Sequence, residues 1–227
     1  MAAMIHAPRK YHHLVAEQPE PATPASPAKT NLLGSWYITR SSSPFWIDKR
    51  NPTITLAADS KTDDGTRAPE TLPLSALYQT AGPAPVLANQ TSYQTLASSK
   101  VKTTAGMDRP VDGSSSFWGE SGGSGGGEGP IQMEWRGSGW LRMVSARWEI
   151  LGWGGEGEAE ADEWLLVFAD KSMFTPAGIS LYTRRRTGVE DMEWAGIEEG
   201  LRRLVERYPE EGELRELALG MRVVRHD

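Results

Sequence analysis

The chain has 227 residues, a net charge of −6, 38% hydrophobic residues and no cysteine. The acidic balance excludes a general nucleic-acid footprint, and the lack of cysteine excludes a disulfide scaffold. No apolar run approaches the ~20 residues that a membrane-spanning helix needs.

The four histidines, His6, His12, His13 and His226, all lie near the ends of the chain. That excludes a Ser-His or Cys-His nucleophile pair in the patterned middle, and a zinc site built on His and Cys. His12-His13 reads as part of a solvated tail, and no cofactor or metal is expected. Residues 1–30 read as a disordered tail, because EQPEPATPASPAKT mixes proline with small polar residues and offers nothing to bury. The stretch MAAMIHAPRKYHHLVAEQPEP has no continuous apolar leader; with the missing cysteines, this predicts a cytoplasmic protein.

At Leu32 the character changes. SWYITRS alternates, with Trp36, Ile38 and Arg40 on one side and Tyr37 and Thr39 on the other, the pattern of a two-faced strand. SSSPFWIDKRNP turns the chain between Pro44 and Pro52. TITLA and LSALYQT read as the second and third strands, and TSYQTLASSKVKTTAG holds one or two more. Residues 107–130 read as a flexible Gly/Ser-rich loop. Seven of the eleven residues from Gly119 to Gly129 are glycine, but Glu128 and Pro130 stand where a phosphate-binding loop needs Lys-Ser/Thr. IQMEWR alternates again, with Ile131, Met133 and Trp135 on one face. WLRMVSARWEILGWG follows as a long strand with Val144, Ala146, Trp148 and Ile150 together. EWLLVFAD, carrying Trp164 and Phe168, and ISLYTR complete the set.

These strands are joined by hairpins with no helix between them, so the topology is antiparallel. About eight of them predict a closed barrel or a sandwich. Then the period changes. Trp194, Ile197, Leu201, Leu204, Val205 and Tyr208 recur at spacings of three and four, an amphipathic helix that Pro209 ends. A shorter helical segment runs through Leu214, Leu217 and Met221. The expected organisation is a tail over 1–30, a β domain over 31–186 and a helical segment over 187–227 that packs on it.

Gly34-Ser35-Trp36, followed by Tyr37, resembles the Gly-x-Trp signature of lipocalins and the wider calycin superfamily. GSWYITRSSSPFWIDKRNPTIT, EWRGSGWLRMVSARWEILGWG and FTPAGISLYTR are similar, more narrowly, to lipocalin-like proteins of filamentous fungi. The resemblance covers roughly residues 32–186. It implies an all-β, up-and-down antiparallel barrel of about eight strands with one or two C-terminal helices. It also implies an indole across the closed end, with Arg184 or Arg185 over its ring. The chain departs from lipocalins in lacking a Thr-Asp-Tyr element near a later turn.

A barrel of this size has room for one small ligand unless side chains fill it. Tryptophan on an apolar face is usually core, but nine tryptophans against four phenylalanines favour flat walls for a polycyclic or polyene guest. The expected ligand contacts are Trp36, Ile38, Trp46 (in the turn that would form a lid) and Met133. Trp135, Trp148, Trp164 and Phe168 complete them. Arg40, Tyr78, Glu149 and Tyr182 are the candidate catalytic groups, able to polarise a carbonyl or move a proton. Arg40 points inward if its strand continues and is exposed if the strand frays after Thr39. Glu149 faces outward by alternation unless a bulge near Gly152 reverses it. Three readings remain open. The first is an enzyme that cyclises or isomerises a polyketide- or terpenoid-like molecule, an activity that the fungal resemblance implies. The second is a carrier of such a molecule, and the third a filled barrel acting as an interaction module. The expected partner is a hydrophobic small molecule, with no nucleic acid and no membrane span.

Overall fold

The computed structural model describes residues 2–14, 30–59, 70–74, 86–111, 132–155 and 162–227. Eight strands form an antiparallel barrel: β1 (Gly34–Ser41), β2 (Lys49–Ala58), β3 (Leu87–Thr95), β4 (Val101–Pro110), β5 (Gln132–Gly137), β6 (Ser145–Gly154), β7 (Trp164–Ala169) and β8 (Gly178–Thr183). Each pairs with the next in sequence, and β1 pairs with both β8 and β2, which closes the sheet. This is the all-β, up-and-down arrangement expected, and it is compatible with a lipocalin-like fold. Closure leaves no row of open backbone groups along most of the sheet.

Two helices follow, α1 (Asp191–Arg207) and α2 (Gly212–Leu219), and then a two-residue strand, β9 (Arg222–Val223). Ile197, Leu201, Leu204 and Val205 form the buried stripe of α1, as the spacing predicts. That stripe packs on the outer face of the barrel beside Leu166, Phe168, Ile179 and Leu181. β9 pairs with the far end of β1, at Arg40 and Ser41. β1 and β2 pair directly only from Gly34 to Tyr37, so the C-terminal ribbon continues the wall beyond that point. Val224 is buried there, and Asn51 Nα–H donates to the Arg225 carbonyl at 2.8 Å.

Two readings need correction. Residues 2–14 are not a loose tail: Ile5, Ala7 and Tyr11 join the core under the helices. The His6 amide donates to the Leu151 carbonyl, and the Ala3 amide to the Gly196 carbonyl, both at 2.8 Å. The apolar residues were there in the sequence, but they are too few and too scattered to show a period. Met107–Pro110, read as the start of a flexible loop, are the last residues of β4 and pair with Met133–Arg136 of β5. Most of the Gly/Ser-rich stretch, and the third predicted strand beyond Leu74, lie outside the described residues.

The closed end rests on Gly34-Ser35-Trp36. Gly34 sits at φ +99°, a conformation that an L side chain rarely adopts. Trp36 is fully buried, and its Nε1–H donates to the Leu32 carbonyl at 2.9 Å. The Arg184 guanidinium lies 3.6 Å from the centre of the Trp36 ring. It also donates to the carbonyls of Leu33 and Asn31 and pairs with Glu163 at 3.2 Å. The expected cation over the floor indole is therefore Arg184; Arg185 instead pairs with Asp162 and Glu190.

Candidate functional site

Inside the barrel the closed end is packed solid by Trp36, Ile38, Ile54, Met133 and Ile150. Above that floor lies a cavity of about 590 Å³, within the ~300–1,000 Å³ typical of small-molecule sites. Its lining takes Trp46, Lys100, Trp140 and Phe174 from the four connections at the open end: β1–β2, β3–β4, β5–β6 and β7–β8. Lower down, the walls are Trp135, Trp148, Leu165, Val167 and Tyr182.

A cluster of rings stands at the mouth. Phe45 and Trp46, in a short 3-10 turn (Pro44–Trp46), meet edge to face at 4.7 Å. Tyr93 packs edge-on against both, at 5.6 and 5.8 Å. Lys49 Nζ lies 4.1 Å from the centre of the Phe45 ring. Trp46 thus sits at the rim, the position expected of a lid.

One ionisable group is buried inside the barrel, beside the cavity. Asp108 is fully buried near the end of β4. Its Oδ1 accepts from Trp148 Nε1–H at 2.8 Å and its Oδ2 from Asn89 Nδ2–H at 2.7 Å. Burial raises its pKa from 3.8 to about 6, against the opposing pull of these two donors. The carboxylate orients both wall residues: it fixes the plane of the Trp148 ring and leaves the buried Asn89 Oδ1 without a hydrogen-bond partner. Tyr182, on β8, also lines the cavity. Burial, reinforced by the negative charge of Asp108, raises its pKa well above the ordinary tyrosine value. Its hydroxyl therefore keeps its proton at neutral pH, and among the described residues nothing bonds it. A mostly apolar chamber with a few polar side chains in its walls, Tyr182, Thr91 and Thr104 among them, suits a mostly apolar guest carrying a hydroxyl, enol or carbonyl.

The residues expected from the sequence separate into three groups. Trp46, Trp135, Trp148 and Tyr182 line the cavity. Trp36, Ile38 and Met133 lie in the packed floor below it. The others face elsewhere. Arg40 stacks on Trp194 of α1, 4.0 Å from the ring centre, because a bulge between Ile38 and Arg40 breaks the alternation of β1. Ser41, not Arg40, then takes the inward direction and shares a 2.8 Å hydrogen bond with Ser180. Glu149 is buried on the outer side, where it accepts from the Arg9 amide and from Gln132 Nε2, both at 2.9 Å. The bulge in β6 falls after Ile150, too late to turn Glu149 inward. Trp164 and Phe168 also face outward, into the core beneath the helices, and Trp164 Nε1–H donates to Glu193 at 2.6 Å. β7 is apolar on both faces, so its sequence could not show which set points inward; Leu165, Val167 and Ala169 do. Tyr78 lies outside the described residues.

Asp108 and Asn89 were missed. Asp108 sits in MDRPVDG, which reads as loop chemistry, and Asn89 in a stretch that reads as a turn. The available signal was the even-numbered set Lys102, Thr104, Gly106 and Asp108, one face of a strand if VKTTAGMDRP is taken as one element. Among the described residues, no group of three or more His, Cys, Asp and Glu is placed to hold a metal ion. No described helix is long and apolar enough to cross a membrane.

Comparison with models of known protein families gives no match, and no curated protein matches the chain.

Proposed function

We propose that the barrel binds a small, mostly apolar molecule and promotes its cyclisation or isomerisation by positioning and hydrogen bonding. The observation that carries this reading is a hollow, aromatic-walled chamber with a few polar groups among its walls, the Tyr182 hydroxyl one of them. The tryptophan walls favour a flat or polyene guest, polyketide- or terpenoid-like, that folds against them. Holding such a chain in a reactive fold lowers the barrier through proximity and orientation, without a nucleophile. Tyr182 would donate to a guest carbonyl and strengthen that bond as charge develops on the oxygen. Asp108 is a positioning residue here, because it acts through Asn89 and Trp148. The likeness to lipocalin-like proteins of filamentous fungi supports natural-product chemistry, since such proteins occur among fungal cyclases. The absence of cysteine supports the cytoplasm as the compartment.

The second reading is a carrier that binds the same class of guest without changing it. It is favoured by the mostly apolar lining of the chamber. Incubating linear polyene precursors with the protein, followed by mass and chromatographic comparison of the products, separates the two. A new isomer of unchanged mass that Tyr182→Phe fails to produce supports the enzyme. Bound but unaltered precursor supports the carrier.

A further inference from the structure

The open rim has a composition unlike the rest of the surface. Among the described residues, seven of the eleven exposed large hydrophobics lie at this one end of the barrel. Ile47 belongs to the β1–β2 connection, and Leu96 and Val101 to the β3–β4 hairpin. Trp140 and Met143 come from the β5–β6 connection, and Met173 and Phe174 from β7–β8. Trp140 is 83% exposed and Met143 82%; exposed apolar residues are ordinary singly, but a contiguous group of them marks an interaction surface. In an up-and-down barrel these four connections share one end, so the ring surrounds the mouth of the cavity.

The charge of the rim is reversed as well. Residues 42–50, 96–102, 136–147 and 170–177 contain eight Lys and Arg against two Asp. The whole chain has 24 basic and 30 acidic residues, so this end is cationic on an acidic protein. Lys100, Lys102, Arg142 and Lys171 are exposed among the apolar tips. Apolar loop tips interleaved with cations match a bilayer interface, where indole and thioether side chains enter the headgroup region and cations meet anionic lipid. A neutral protein partner would leave these cations without counter-charge.

We propose that the rim docks on an anionic lipid surface, with the cavity mouth facing the bilayer, so that the apolar guest enters or leaves without crossing water. The purpose of this docking rests on the guest-binding reading above, but its test does not, because it needs no guest. The protein does not span the membrane in this arrangement; only the tips of four loops enter the interface.

The test is flotation of the full-length protein with vesicles of phosphatidylcholine alone and of phosphatidylcholine with phosphatidylserine. Docking predicts that the protein floats with the phosphatidylserine vesicles, and that 1 M NaCl weakens the binding. Met143→Ser combined with Met173→Ser removes two exposed side chains that do not line the cavity, and should lower the partition about tenfold. Lys100→Ser combined with Arg142→Ser should lower it about twentyfold for the anionic vesicles. Circular dichroism of both double variants should match the parent, since all four residues are exposed. The proposal is overturned if the parent floats with neither vesicle, or if both double variants float as the parent does. It is also overturned if the parent is a dimer that Met143→Ser with Met173→Ser converts to monomer, which would assign the rim to a second copy of the chain.

Discussion

Asp108 gives the sharpest test of the cavity wall. Its pKa rises from 3.8 to about 6 on folding, with burial as the main cause. A carboxyl whose folded pKa is raised holds its proton more tightly in the folded state than in the unfolded one. Between about pH 4 and pH 6 the folded state therefore binds more protons, and stability falls as pH rises. A shift of about two units corresponds to roughly 3 kcal/mol once both states are ionised. Asp108→Asn removes this titration. The substitution keeps the shape, and a flip of the Asn89 amide would let its carbonyl, now unpartnered, accept from the new amide while Trp148 still has an acceptor. Urea unfolding of both proteins from pH 4 to pH 7.5 reads the effect. The variant should gain about 2–3 kcal/mol on the parent across that range, through a sigmoid centred between pH 4 and 6. Other groups titrate equally in both proteins and cancel in the difference. A difference that stays constant with pH would refute the claim that this carboxylate is held in a dry wall.

Two further perturbations test the supports of the barrel. Arg184→Ala removes the cation over Trp36 and the ion pair to Glu163, whose side chain is only 12% exposed. It should cost about 3–5 kcal/mol, seen as a lower melting temperature, and a loss below ~1 kcal/mol would contradict the role given to this floor clamp. Deleting residues 1–14 uncovers the core that Ile5, Ala7 and Tyr11 seal, and removes the hydrogen bond from Tyr11 to Glu213 at 2.9 Å. A loss of about 3–5 kcal/mol and new binding of an apolar dye are expected. Unchanged stability would mean that the segment contributes little to the fold.

The fold was legible in the sequence because its signals are local. The alternation of SWYITRS, the hairpin spacing and the change to a three-four period at Trp194 each concern a few neighbouring residues, and each marks an observed element, although the alternation of β1 breaks at the bulge after Ile38. The floor was legible through the resemblance to lipocalins, which implied Trp36 across the closed end with Arg184 or Arg185 over its ring; the structure selects Arg184. The site was harder to read. The direction of Arg40 depends on a single extra residue in β1, and a bulge leaves no mark in composition. The faces of β7 were undetermined because Trp164, Leu165, Leu166, Val167 and Phe168 are all apolar, and both faces are buried: one by the barrel interior, the other by helices that begin 22 residues after the strand ends. Asp108 and Asn89 are polar residues whose burial depends on each other, so neither stands out alone. Only the register of β3 with β4 brings them together.

The central claim is that the barrel is a hollow vessel for an apolar guest. Fluorescence energy transfer from tryptophan to parinaric acid, a linear polyene that absorbs where tryptophan emits, measures this directly. Ala146 lines the cavity between Trp135 and Trp148, so Ala146→Trp would fill much of the chamber from within. The parent should give saturable transfer at one polyene per protein, and Ala146→Trp should weaken binding at least about tenfold, a change of ~1.4 kcal/mol. Absence of saturable binding in the parent, or equal affinity in the filled variant, would contradict it.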